Sequence, residues 1–275
     1  MKQVVLFLIS LFYFASISAQ ITEKDHEKYW HYRNRLRTYY MHVGEGPGAS
    51  IPAGIRNFIN WETGEPSIIH WGDATLYLGW YMGVLATEYH LLNKNNQETK
   101  EILEELNYAL LAVERLDSIA ELRWDLPSSV NGFLIRDDIP ENFLELHPHL
   151  NHNLNDKIFY NEKSGQALKV RQVVSDFIIN PHNAFSQDQL VHLLMGLVLA
   201  AKFSPSQIFS LDVDVNGGIV NYKINPKEKA IFLTDKLVEY ASNITGKEPW
   251  QLRYPTGETI SNSRGGDLRA NATAI

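Results

Sequence analysis

Acidic residues stand at the heads of two apolar segments of this chain, and a histidine follows one of them at helical spacing. In FSQDQLVHLLMGLVLAAKF, residues 185 to 203, Ser186, Asp188, Gln189 and His192 lead a run that is otherwise apolar. Part of this pattern belongs to helix initiation: S-Q-D-Q is a capping box, in which Ser186 and Gln189 satisfy each other's backbone amides. Asp188, in the first turn, is favoured by the helix dipole whatever else it does. His192 is left over. Four residues beyond Asp188, it shares a helix face with it. A carboxylate beside a histidine raises the histidine pKa, and coupled groups of this kind in a cleft are candidates for acid–base chemistry.

The stretch WGDATLYLGW, residues 71 to 80, offers a second acidic start in Asp73, which is also a good helix cap. Trp71, Tyr77, Trp80 and Tyr81 cluster around it. Aromatic faces stack on the apolar faces of sugars, although aromatics at helical spacing also build cores. In FLIRDDIPENF, Arg136 precedes Asp137 and Asp138, with Glu141 close behind. Paired carboxylates are what glycosidic hydrolysis needs, one as acid and one as base, and the same residues also read as a charged loop or an Arg–Asp bridge.

His147, His149 and His152 form H-x-H-x-x-H, which matches no established metal signature, and Pro148 stiffens its middle. Asp212, Asp214, Asn216 and Gly217 imitate the start of a calcium loop, but Lys223 stands where the twelfth-position glutamate belongs. No metal and no cofactor is expected. Asn243-Ile-Thr and Asn271-Ala-Thr fit the N-glycosylation pattern, and no P-loop, nucleophile elbow or dinucleotide fingerprint is present.

The elements that must position these groups read mostly as helices. A helical pattern runs from Thr22 to about His42 and ends in GEGPGASIPAG. Asp73 opens a helix that is apolar on nearly every side. ETKEILEELNYALLAVERLDSIAEL follows, with Ile102, Leu106, Ala109, Leu110, Val113 and Leu116 on one face and Glu101, Glu104, Glu105, Glu114 and Arg115 on the other. The pattern of an inner helix followed by an outer one recurs in DQLVHLLMGLVLAAKF and PKEKAIFLTDKLVEYASNIT. Here Ala230, Leu233, Leu237 and Tyr240 share a side. Matching Met82–Ala86 with Met195–Leu199 superposes the two inner helices. Repeated helical hairpins indicate a solenoid or a closed toroid. LDVDVNGGIVNYKI, alternating around Asn216-Gly217, reads as a β-hairpin.

The first 19 residues read as a secretory signal: Lys2 precedes an apolar run from Val4 to Phe14, and small residues follow. A membrane span needs roughly 20 apolar residues, so that run is too short for one. With no cysteine, the chain has neither disulfides nor a cysteine lipid site. An exported, periplasmic or extracellular protein is expected. The 25 basic and 32 acidic residues leave a net charge of −7, which gives no reason to expect nucleic acid. Residues 20–275 are expected to form one domain, and the helix start at Asp267 suggests that it continues beyond Ile275.

Alternating buried and amphipathic helices whose inner members begin with WGDATLYLGW and FSQDQLVHLLMG resemble the six-hairpin, (α/α)6-toroid glycosidase-like superfamily, over about Ile69 to Ile275. The resemblance implies a mainly α fold, a toroid or partial toroid of inner and outer hairpins carrying a small β-hairpin and long loops. It also implies a funnel at the inner-helix starts, in which carboxylates act on an oligosaccharide or polysaccharide fragment. Carried onto this chain it points to Asp188 and Asp73, with Asp137 and Asp138 as loop candidates. His192, Trp71, Tyr77 and Arg136 are the companion binding candidates. The alternative is a non-catalytic helical toroid that binds glycans or an exported protein partner.

Overall fold

The structure, a computed structural model, describes residues 22–56, 67–150, 160–161, 166–167, 170–174, 184–215, 217–242 and 250–260. The expected signal segment, His152, Asn243, Asn271 and the helix start at Asp267 lie outside the described residues. The chain divides into two compact units, Met1–Arg37 and Thr38–Ile275. Helix α1, Glu23–Tyr39, supplies nearly all that is described of the first unit. Thr22 and Asp25 start it: the Thr22 amide and hydroxyl both donate to the Asp25 carboxylate, and the Asp25 amide donates back to Thr22 Oγ1.

Mainly helical, the described residues contain six α-helices and three small sheets. In the second unit β1 (Gly54–Arg56) pairs antiparallel with β2 (Ser67–His70), which pairs parallel with β5 (Val170–Val174). Between β2 and β5 come α2 (Ala74–Lys94), α3 (Lys100–Ser118), the short α4 (Phe143–Leu146) and the two-residue strands β3 (Tyr160–Asn161) and β4 (Gln166–Ala167). Helix α5 (Gln187–Phe203) follows, then the hairpin of β6 (Phe209–Val215) and β7 (Gly218–Ile224), then α6 (Pro226–Ser242). The hairpin turns where Asn216-Gly217 predicts, and Gly217 takes a φ of 83° that a side chain would strain.

Helices α2 and α5 lie side by side and run parallel. Gly79 meets the backbone of His192 and Gly196, Leu199 lies over Gly83, and His90 stacks on Phe203 at 4.6 Å. The sequence match of Met82 with Met195 carries the same register, since it also pairs Asp73 with Ser186, Gly79 with His192 and His90 with Phe203. A Cβ on Gly79 would stand 2.1 Å from the His192 carbonyl oxygen, and one on Gly196 would stand 2.1 Å from the Gly79 carbonyl oxygen. Only glycine permits so close an approach. Helix α3 packs on α2, and α6 packs on α5 and on α3. The expected helix pairs, α2 with α3 and α5 with α6, are therefore present and adjacent.

Two expectations need correction. Glu105, expected on the solvent face of α3, is buried, and its Oε2 accepts from Tyr81 Oη at 2.5 Å, tying α3 to α2. Helices α2 and α5, expected to be covered all round, share an open apolar face formed by Trp80, Val84 and Leu91 on one and Met195 and Val198 on the other. Each helix is covered by its partner and by an outer helix, and three neighbours' worth of surface is more than two can hide. Among the described residues no helix is long and apolar enough to cross a membrane.

Replacing Gly79 or Gly196 by alanine must push α2 and α5 apart. A loss of about 1–3 kcal/mol or more is expected for either variant, read as a lowered urea midpoint, and wild-type stability in both would disprove the contact.

Candidate functional site

The level starts of α2 and α5 bring several of the expected residues to one end of the helix pair. Ser186 and Gln189 form the capping box of α5, with the Ser186 amide donating to Gln189 Oε1 at 3.1 Å. Gln189 then does more than cap: its Nε2 donates to Gly72 O at 2.8 Å and, at 3.4 Å, to Asp73 Oδ1. Asp73 makes no side-chain cap hydrogen bond. Arg136 also clamps the two starts, donating from Nε to Ala184 O (2.8 Å) and from Nη1 to Gly72 O (3.2 Å). Its guanidinium, anticipated as a substrate ligand, thus ties the two helix starts together.

Asp188 is exposed, and the Ser186 hydroxyl donates to its carboxylate. His192 does not touch that carboxylate as its spacing suggested; its Nδ1 lies 2.6 Å from the Asp188 backbone carbonyl oxygen. A carbonyl cannot donate, so Nδ1 carries a proton and donates it. The His192 ring stands 5.4 Å from that of Trp80, which in turn stands 6.2 Å from Tyr77, both nearly edge to face. Tyr77 is half-buried, with its ring over Gly54, where a Cβ would come within 2.8 Å. Asp73, Tyr77 and Trp80 follow one stripe of α2, and Asp188 and His192 one stripe of α5, at spacings of three and four. Together they form an acidic and aromatic head to the open face of the helix pair.

Three expected site residues serve other ends. Trp71 is fully buried, donates from Nε1 to Ile51 O at 3.3 Å and packs edge-on against Phe143. Asp138 is buried, bonded by Arg115 Nε at 2.6 Å, by Arg115 Nη2 at 3.3 Å and by the Gly48 amide at 3.0 Å. With Arg115 Nη2 also donating to Ala49 O, these two side chains hold residues 48–49 of the glycine-rich loop inside the protein. Asp137 is buried, accepts from the Ile139 amide at 3.2 Å and faces the charge of Arg123. Neither loop carboxylate reaches solvent, so the pair cannot work as acid and base on an external substrate.

Two titratable clusters escaped the sequence. His42 stacks on His147 at 3.8 Å between ring centroids, with His149 5.9 Å away. Burial, then the neighbouring His147 and His149, lowers the His42 pKa to about 4. Among the described residues no group of three His, Cys, Asp or Glu could hold an ion. At the end of α3, burial pushes the Asp117 carboxyl up to about 7 against the pull of the Asn131 and Gly132 amides that it accepts, while the Glu121 and Glu114 charges raise it further. The H-x-H-x-x-H spacing singled out His147 and His149 but not His42, which reaches them from a distant segment, and the Asp117 shift rests on burial.

The chain matches no protein-family model, no curated protein and no solved structure.

Asp138→Ala should lower stability by about 2–4 kcal/mol, because the partly buried Arg115 and the buried Gly48 amide lose their partner; a urea midpoint near wild type would disprove the lock. His42, whose folded pKa is depressed, contributes stability that is complete above pH 6.5 and lost as pH falls towards about 4. Across that window the urea midpoint of the wild type should fall relative to that of His42→Phe, since the raised Asp117 carboxyl, which acts in the opposite direction, is common to both.

Proposed function

We propose that this chain is an exported carbohydrate-active protein of the six-hairpin glycosidase-like kind, acting where the inner helices begin. One observation carries this reading: the parallel helices α2 and α5 start level, with Asp73 and Asp188 on one face beside an exposed Trp80 and a half-buried Tyr77. In such a site one carboxylate protonates the leaving oxygen and the other stabilises or activates the attacking group. Helix dipoles favour a carboxylate at each start, and the Gln189 amide and Ser186 hydroxyl orient Asp73 and Asp188 respectively. The open apolar remainder of the α2–α5 face agrees with a ring of hairpins, whose inner helices cover one another's faces.

The test is release of reducing ends from a panel of polysaccharides. Asp188→Asn and Asp73→Asn are each expected to lower turnover by about 10²-fold or more. Asp188 is exposed, so its variant should keep the wild-type melting temperature. Turnover unchanged in both variants would defeat the assignment. The same open face also favours a non-catalytic binder, for which wild type and variants alike would bind glycan and release nothing.

A further inference from the structure

We infer that the open α2–α5 face is the contact between two copies of this chain, which pair antiparallel about a two-fold axis at Met195; the inference goes beyond the carbohydrate reading and stands without it. Helix α3 packs on α2, α6 packs on α5, and α3 and α6 touch each other, so the outer helices share one side of the inner pair. The other side exposes Trp80, Val84 and Leu91 on α2 and Met195 and Val198 on α5. Spacings of three, four and seven keep each set on one stripe of its helix, and the contact of Trp80 with His192 joins the stripes into one face. Contiguous exposed apolar surface of this kind marks an interaction site. As two adjacent strips about 10 Å wide and about 25 Å long, it offers roughly 500 Å² before side-chain relief is added, the same order as the roughly 800 Å² that each partner of a specific complex buries.

Symmetry about one point selects a second copy as the occupant. Asp188 and Lys202 are both exposed, and they stand seven positions to either side of Met195, about 10 Å away along the axis in each direction. Seven residues make nearly two whole turns, so all three share the stripe. An antiparallel pairing centred on Met195 therefore sets Asp188 against Lys202 of the second copy and Lys202 against Asp188 of the second copy. The contacts of Gly79 with His192 and of Gly83 with Gly196 put Met82 level with Met195. The same axis then sets Trp80, two before Met82, against Val84 of the second copy, two after it. A large ring faces a small side chain twice, and the flexible Met195 thioether packs on its own counterpart. Parallel pairing would bring the acidic helix starts together and align the dipoles, which disfavours it. A self-complementary contact of this kind closes at two copies. The second copy covers the start of α5, so on the carbohydrate reading it competes with the sugar, and turnover per chain falls as the dimer forms.

Sedimentation velocity of the full chain tests this, with circular dichroism of each variant to keep loss of pairing distinct from loss of fold. A dimer that dissociates on dilution is expected. Lys202→Glu or Asp188→Lys alone should weaken it at least about tenfold, because like charges then meet across the axis. The double variant restores opposite charges and should recover the dimer to within about threefold of wild type. The chain holds no cysteine, so Met195→Cys under mild oxidation should give a dimer linked at the axis, and Val238→Cys, on the exposed side of α6, should not. A wild-type monomer at every concentration gives the face to a sugar or to another segment of the same chain and overturns the inference. A dimer indifferent to both charge variants, or one cross-linked by Val238→Cys and not by Met195→Cys, overturns it as well. A monomer that releases reducing ends overturns the dimer alone. A dimer of the expected kind whose turnover per chain does not fall on concentration upholds the inference and removes Asp188 from catalysis.

Discussion

Contact between two backbones, at Gly79 and Gly196, is the constraint on which the arrangement of this protein depends. Each glycine stands where any side chain would collide with the other helix's carbonyl, so α2 and α5 meet at one register only. That register brings Asp73 level with Ser186 and places Trp80 beside His192. The outer helices then fall into position, since the apolar side of α3 and that of α6 each have a single inner neighbour to cover. Shifting the pair by one turn would separate Gln189 from Gly72 and Asp73, and the clamp at the helix starts would open.

The acidic residues divide according to what that packing leaves open to water. Asp138 and Asp137 are sealed among a guanidinium and backbone amides, and Glu105 is sealed against Tyr81. Each buried carboxylate is held by hydrogen bonds, since an ion removed from water and left without partners costs several kcal/mol. Asp188 stays exposed and Asp73 half-buried, where a ligand can reach them. Adjacent residues thus take unrelated roles: Arg136 clamps the helix starts while Asp137 and Asp138, its immediate neighbours, stabilise a loop.

Much of this architecture was legible because it is local. The capping box at Ser186, the turn at Asn216-Gly217 and the apolar stripe of α3 each depend on residues a few positions apart, and each lies where the spacing indicates. The match of Met82 with Met195 marked only a repeat in the sequence, and the contact at Gly79 and Gly196 shows that the two helices meet at that same offset. The aromatic cluster was only partly legible. Trp71 and Trp80 are both tryptophans near the start of α2, yet one is enclosed by Ile51 and Phe143 and the other is more than half exposed.

The sequence by itself determined the helices, the capping box at Ser186 and the hairpin, because periodicity and end signals act over a few residues. Only the tertiary structure decided which carboxylates are sealed, which tryptophan is open, and that His192 bonds a backbone carbonyl instead of the Asp188 side chain. It alone brought His42 to His147 and raised the Asp117 carboxyl towards neutrality. The physical reason is that desolvation and partner geometry depend on what surrounds a group from every direction. Those surroundings come from segments that are distant along the chain and meet only when it folds.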